Sequence, residues 1–447
     1  MRKITDWVLL IALVATGRIS EAQVLDSHSA PAAAQQLHHF EGVLEAGPPL
    51  SLETARREAL ERDPALAALN AQMAAARQRV IEARVLAPPM IEGQIWQWPI
   101  GTLNPAKVDM YMLSVGQEFP GRGKRALRAA VAEKDIALLD ADKASRTREL
   151  IEEVAQTYVE LFGARQAIAI HQNTLSLLQQ VVAVTQVRYE SGAVSQYDVI
   201  AGVVELSKLH EDLIQLGQEH QLTAGRLNAL RQRDPDAPIG RVDAPLEPPL
   251  LRPLNELQQA AIEHHPAVTT ARTTEERAVA MQAEARGDFK PDVRVSAGYM
   301  ARPSGEDGWL ASVGLTWPKA PWSRKKVEAR VAEAAAEQEA ALAKERGAAT
   351  AIRLSVHNAY TRASAAAERV QLLRTTLLPQ SKQAVEVSSI AYQSNRADLQ
   401  AVLNEQRMLR DSELGYYRAL TEAHQAIAEL QRLVGGDVTI AALTARQ

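Results

Sequence analysis

The chain runs to 447 residues with a formal charge of −4, no cysteine and only 4% aromatic side chains. Length alone leaves room for about three ordinary domains. The missing cysteine excludes disulfides, thiol catalysis and Cys-based metal sites, and with them the acylation site of a lipid-anchored exported protein. The mild negative charge, without a basic cluster interleaved with aromatics, argues against nucleic acid as a partner.

In chain order, Arg2 and Lys3 precede a short apolar run over 7–15 and the small-residue triplet Ser20-Glu21-Ala22. This pattern predicts a signal peptide over 1–22, cleaved after Ala22. A spanning helix needs about 20 apolar residues, roughly twice this run, and no later stretch approaches that. Residues 23–49, with Pro, Ala, Gln and His, read as an extended N-terminal arm.

From residue 50 onward the chain is written twice. LETARREALERDP at 52–64 returns as LNELQQAAIEHHP at 254–266, and Ser114-Val115-Gly116 returns as Ser312-Val313-Gly314. Tyr158 matches Tyr360, and RYESGAVSQYDVI, with Tyr189, matches AYQSNRADLQAVL, with Tyr392. The expected domains are a first repeat over 50–233, a Pro- and Asp-rich linker over 234–253, a second repeat over 254–436 and a tail over 437–447. Each repeat reads as a helix, two short strands, and a long helical hairpin. The class is mainly α with a small β part.

The strands fall at 90–120 and 291–318. In the second repeat Trp309, Ala311, Val313, Leu315 and Trp317 alternate with Leu310, Ser312, Gly314 and Thr316. In the first, Tyr111, Leu113, Val115 and Phe119 alternate with Ser114, Gly116 and Glu118, with Gln117 the exception on the apolar face. An apolar face with aromatics at its ends, over about ten residues, is the pattern of a membrane-spanning β-strand. Trp309, Val313, Leu315, Trp317, Tyr111, Val115 and Phe119 are therefore the candidate lipid-facing residues. A soluble hairpin packed on a helix shows similar alternation, but two such hairpins at matching repeat positions behind an export signal favour the membrane. Four strands cannot close a barrel, and an open sheet edge cannot face lipid, so the chain must share strands with copies of itself. Two copies give eight strands, too narrow for a passage; three give twelve.

The long helices carry heptads. Val154, Leu161, Ile168, Leu175, Val182 and Tyr189 recur every seven residues, as do Val356, Ala363, Val370, Leu377, Ala384 and Ala391. Such stripes predict supercoiled helices in need of partner helices. The run over 122–190 would reach on the order of 100 Å. Pro379 predicts a bend or break in the second long helix.

Together the signal, the helix–hairpin order, QEFPGRGKR at 117–125 and YESGAVSQYDVI at 189–200 resemble the TolC-like outer-membrane efflux family. LTWPKAPWSRKK at 315–326, LLPQ at 377–380 and AYQSNRADLQAVL are similar to that family's second repeat. The resemblance covers nearly all of 50–436. It implies a homotrimer with a twelve-stranded barrel and a helical tunnel, docked on a periplasmic adaptor and an inner-membrane pump of the RND type. QEFPGRGKR hints at the branch serving heavy-metal and other cation pumps. The family's periplasmic entrance lies at the helix–turn–helix tips, here 191–197 and 394–399. Three copies would place Asp398, Arg396 and Asp198 in rings there as gate candidates, although Asp is also an ordinary cap residue. Gly192 fits a turn with positive φ, and Asn395 replaces it in the second repeat. No metal site and no cofactor is assigned: Met110 and Met112 face inward but methionine usually packs, and His38-His39 and His264-His265 lack ligand spacing. A periplasmic coiled-coil adaptor remains the alternative. An enzyme finds no support, since no phosphate loop, GxSxG or HExxH occurs.

Overall fold

The computed structural model describes residues 47–102 and 104–440; the expected signal peptide, most of the arm and the end of the tail lie outside them. Helices α1 (Leu52–Arg62) and α2 (Pro64–Arg84) lead into strands β1 (Met90–Trp96) and β2 (Met110–Phe119). Helices α3 (Lys124–Glu190) and α4 (Gln196–Leu230) form the first long hairpin. The second half repeats this order with α5 (Leu254–His264), α6 (Pro266–Gly287), β3 (Val293–Ala301), β4 (Gly308–Leu315), α7 (Arg324–Leu372), α8 (Leu378–Gln393) and α9 (Leu399–Val434). The mainly helical class with four strands holds. Two helices, rather than one, open each repeat, because the x-Pro pair restarts the helix it ends. Asp63 accepts the Leu66 N–H at 2.7 Å and His265 Nδ1 accepts the Ala267 N–H at 3.0 Å, each capping a helix that begins with proline.

The four strands form one antiparallel sheet in the order β1-β2-β3-β4. The two hairpins are thus joined edge to edge through β2 and β3, although the whole first helical hairpin lies between them in sequence. Below the sheet, α2, α3, α6 and α7 pack side by side; farther along, α9 packs on α3, α7 and α8. Helix α3 has 67 residues, about 100 Å at 1.5 Å per residue. Among the described residues no helix is long and apolar enough to cross a membrane.

Duplicated cores hold the middle of the molecule. Ala55 and Ala59 pack with Leu150, Val154 and Tyr158 in one, and Leu257 and Ala261 pack with Val356, Ala359 and Ala363 in the other. The repeats differ at the matched tyrosines. The Tyr158 hydroxyl donates to Leu50 O at 2.8 Å and accepts from Asp243 N at 2.7 Å, clamping the linker onto α3. Arg165 continues that clamp by donating to Gly240 O and Ile239 O, both at 2.7 Å. Tyr360 instead packs partly buried against the second core.

The heptad stripe of α3 is buried from Val154 through Leu175, then fades: Tyr189 is 40% exposed. In the second repeat Val356, Ala363 and Val370 are buried, but Leu377 is exposed. Ser381 and Tyr392 are buried instead, while Ala384 and Ala391 are only partly so. The cause is a π-helical turn over Leu373–Leu377, immediately before the helix that carries Pro379 in its first turn. Proline cannot donate its helical hydrogen bond, and the wider turn takes up the mismatch while rotating the following stripe out of the heptad phase.

Candidate conduction path: the sheet and the helical tips

Strand pairing fixes which side chains share a face. Ile95, Tyr111 and Ala301 lie in one row, Ile91, Val115, Ala297 and Ala311 in another, and Phe119, Val293 and Leu315 in a third. Leu113 stands beside Tyr299 and Trp309, and Gln117 beside Val295 and Val313. One face is therefore apolar apart from Gln117 and glycine. It is also open: Trp309 is 83% and Val313 75% exposed, and Leu113, Val115, Phe119 and Leu315 are exposed as well. Trp317 lies two residues past the end of β4, where its ring meets Trp322 edge-on at 6.0 Å. Tyr299 and Trp309 make a similar edge-on pair at 5.5 Å near the opposite end. Trp98 falls beyond β1 in the connecting loop.

The other face is mixed: polar and small residues prevail toward the helices, and Trp96, Met110, Met112 and Met300 occupy the far end. Arg294 donates to Glu118 at 3.0 Å, and the Ser296 and Ser312 hydroxyls meet at 2.7 Å. Gly298 is needed where β3 crosses β2, since a Cβ there would sit 2.6 Å from Leu113 O. Strands β1 and β4 each pair on one side only, so both edges of the sheet present free backbone groups.

Where the sheet meets the helices, GRGKR finds its physical role. Asp292, just before β3, accepts from Gly121 N at 2.7 Å and from Lys124 Nζ at 2.8 and 2.9 Å. Burial pushes the Asp292 carboxyl up, but the Lys124 and Gly121 donors outweigh it and hold the group below its ordinary value. Asp292 N also donates to Thr316 Oγ1 at 2.7 Å. One carboxylate residue thus ties the end of β2, the start of β3 and the end of β4. The lysine was visible in the sequence motif; its partner, 168 positions away, was not.

At the far end, both hairpins turn by the same device. Gly192 stands at φ 74° and Asn395 at φ 61°. Ala193 N donates to Arg188 O and Arg396 N to Ala391 O, each at 2.8 Å, closing matching helix ends. Asp198 is the third residue of a capping box with Ser195, accepting from Ser195 N at 3.0 Å. Asp398 caps α9 by accepting from Ala401 N at 2.9 Å and is exposed, as is Arg396. The two aspartates therefore have cap roles, and the structure brings neither into contact with Arg396.

What joins the hairpins was not legible as a site. Arg188, at the end of α3, donates to Tyr392 O at 3.0 Å and to Asn395 Oδ1 at 2.5 Å, with its guanidinium carbon 4.6 Å from the Tyr392 ring centre. The Tyr392 hydroxyl meets Thr185 Oγ1 at 2.9 Å, both residues being buried. Two turns inward, Arg407 of α9 grips the buried Glu205 of α4 through both oxygens, at 2.8 and 2.5 Å. The Arg407 guanidinium holds that carboxyl below its usual range. The duplication offered one clue: Tyr189 and Tyr392 occupy matching positions yet differ completely in burial.

A family model described as outer membrane efflux protein matches residues 55–230 and 257–436. The cobalt-zinc-cadmium resistance protein CzcC of Cupriavidus metallidurans is 23% identical over 393 residues, covering 88% of this chain and 91% of that protein. The outer membrane protein VceC of Vibrio cholerae superposes with a TM-score of 0.72 at 20% identity, covering 87% of this chain and 96% of its own. CusC, whose structures describe transmembrane channel formation, gives a TM-score of 0.75 at 15% identity, over 86% and 92% of the two chains. Two matched repeats, one sheet with an apolar face and two long helical hairpins converge: the chain belongs to the outer membrane efflux protein family.

Proposed function

We propose that three copies of the chain close a twelve-stranded barrel and continue it as a helical tunnel into the periplasm, giving solutes a passive, gated exit. The observation that carries this reading is the sheet itself. It has an exposed apolar face and two unpaired edges, and hydrocarbon tolerates the face only if the edges are satisfied by neighbouring copies. The tunnel docks at its tips on a periplasmic adaptor and, through it, on an inner-membrane pump of the RND type. Divalent metal cations are the proposed cargo, on the strength of the cobalt, zinc and cadmium resistance named for the relative. The chain performs no chemistry and needs no cofactor; the pump supplies the energy. Rings of Asp198, Asp398 and Arg396, together with the Arg188–Tyr392 tie, form the gate at the periplasmic entrance. The mature chain is held in the membrane by its barrel, without a lipid on cysteine.

The test is the mass and location of the full chain. Light scattering of protein extracted from isolated outer membranes is expected to give three chains per particle. A single chain in the soluble periplasm would overturn the channel and favour a coiled-coil adaptor.

A further inference from the structure

The polar face of the sheet holds an unexpected concentration of sulfur. Of the eight methionines in the chain, four lie in the strands, Met90, Met110, Met112 and Met300. The register puts all four on the face opposite the apolar one. Apolar side chains belong on the lipid side of a barrel strand, so lipid burial does not account for them. Three of the four cluster. Met112 stands directly opposite Met300, and Met110 follows two positions along the same face of β2. Directly opposed side chains on neighbouring strands start about 5 Å apart, and diagonal ones about 7–8 Å. The unbranched methionine side chain, with three rotatable bonds, easily spans such gaps.

The surroundings suit a cation as well. Trp96 of β1 is paired with Met110, so its indole shares that face, and an indole is the best aromatic wall for a cation. Gly308, opposite Met300 on the β4 side, has no side chain, and the Met300 methyl lies over it, 3.1 Å from where a Cβ would stand; joining Met112 takes a turn of this flexible side chain back toward β2. Met110, Met112 and Met300 are each half-buried, sheltered yet reachable from the open face. Thioethers are soft ligands that select monovalent copper and silver, while borderline divalent ions need imidazole or carboxylate. Among the described residues no group of three His, Cys, Asp or Glu is placed to hold such an ion.

We propose that Met110, Met112 and Met300, walled by Trp96, form a thioether site for a soft monovalent cation on the inner face of the barrel. The site lies toward the end of the sheet away from the helices, where the loops following β1 and β3 connect the strands. Its position on the conduction path rests on the channel reading above; its ligand chemistry does not. A soft monovalent ion leaving the tunnel, a cargo beyond the divalent cations proposed above, would be held briefly by neutral sulfur, without the charge of a thiolate to retain it.

The test uses the full chain in detergent, labelled with carbon-13 at the methionine methyl groups and titrated with silver(I) alone. The three methyl signals of Met110, Met112 and Met300, assigned by single Leu substitutions, are expected to shift together, while those of Met73, Met281 and Met408 stay in place. Met112→Leu and Met300→Leu keep the apolar volume and are each expected to weaken silver binding by about tenfold or more. Unmoved signals up to about 1 mM silver, or a Met112→Leu/Met300→Leu variant that binds as tightly as the wild type, would overturn the site and leave the cluster as packing. A second measurement separates the channel reading. Cysteine at Ser312 is expected to react with a water-borne thiol reagent and cysteine at Val313 with a membrane-embedded one. The reverse pattern alongside silver binding would remove the site from the conduction path.

Discussion

Replacing Arg188 with alanine is the sharpest probe of how the proposed entrance is held. The guanidinium makes two hydrogen bonds across the hairpins, to Tyr392 O at 3.0 Å and to Asn395 Oδ1 at 2.5 Å. It also lies 4.6 Å from the Tyr392 ring centre. Charge-assisted bonds of this kind contribute about 1 kcal/mol each in a partly exposed setting. The ring contact adds roughly 0.5–1 kcal/mol. The total is about 3 kcal/mol per chain, on the order of a hundredfold in an equilibrium constant. In the proposed gate, widening the entrance requires the two hairpins to part at their tips, so Arg188→Ala is expected to shift the balance toward open by up to that factor. Single-channel recording in planar bilayers is expected to show a larger open fraction or a higher conductance, with Arg188→Lys intermediate because lysine keeps the charge but loses the fork. A variant that melts earlier yet conducts as the wild type would refute the gating argument and leave the tie as a structural brace.

Four further outcomes follow from the same geometry. Val313→Arg places a charge near the middle of the apolar face and is expected to cost about 2–4 kcal/mol in lipid, strongly lowering the amount of assembled protein recovered from outer membranes; equal recovery of Val313→Arg and Ser312→Arg would contradict the face assignment. Lys124→Met removes the main partner of Asp292 and is expected to destabilise the junction of sheet and helices by about 2–3 kcal/mol, the carboxylate being partly hydrated, read as an earlier melt by circular dichroism. Asp398→Ala with Arg396→Ala is expected to raise conductance, and Asp398→Ala alone to cost about 1 kcal/mol through the lost cap; unchanged conductance would confine both residues to the turn. Burial first, and the neighbouring Arg165 second, push His220 down to about 4 from an ordinary 6.5. The unfolded chain therefore binds the extra proton as pH falls below 6.5, so the stability that neutral His220 contributes is complete above that value. Up to about 3 kcal/mol is lost by pH 4, and a His220→Gln variant should show a flatter dependence of melting temperature on pH across that window.

Much of this architecture was legible because the physics that sets it is periodic. Alternation at 111–119 and 309–315 gave the face of each strand, since a strand exposes every second side chain to the same medium. The repeat of LETARREALERDP as LNELQQAAIEHHP located the two halves, and Pro379 located the break. Distant pairings were not written in any local period. That β2 joins β3, that Asp292 answers Lys124, and that Arg188 reaches Tyr392 all depend on packing between segments more than 160 positions apart. The heptads misplaced the stripe beyond Val370 because a single π turn resets the phase, and the residues of that turn are not unusual in composition. Asp198 and Asp398 were recognisable both as gate and as cap residues; the structure supplies the cap role because capping is local and needs only the chain itself.

The joining of β2 to β3 has a consequence for how the molecule comes together. Each hairpin closes a short loop, 13 residues between β1 and β2 and six between β3 and β4. The seam between β2 and β3 must close 173 residues. With loop entropy growing as the logarithm of length, that seam carries roughly 2–3 kcal/mol more closure cost than the hairpins. Contacts of such long range form slowly. The two hairpins are therefore expected to form early and separately, and the continuous sheet only after α3 and α6 have packed and brought their strand ends together. Until that moment the chain carries four bare strand edges instead of two, all beside apolar side chains, which is the condition in which β-proteins aggregate. The Lys124–Asp292 pair, at the point where α3, α6 and the seam meet, is then a registration pin: it sets the alignment of the first cross-seam rung before the rest of the ladder can close.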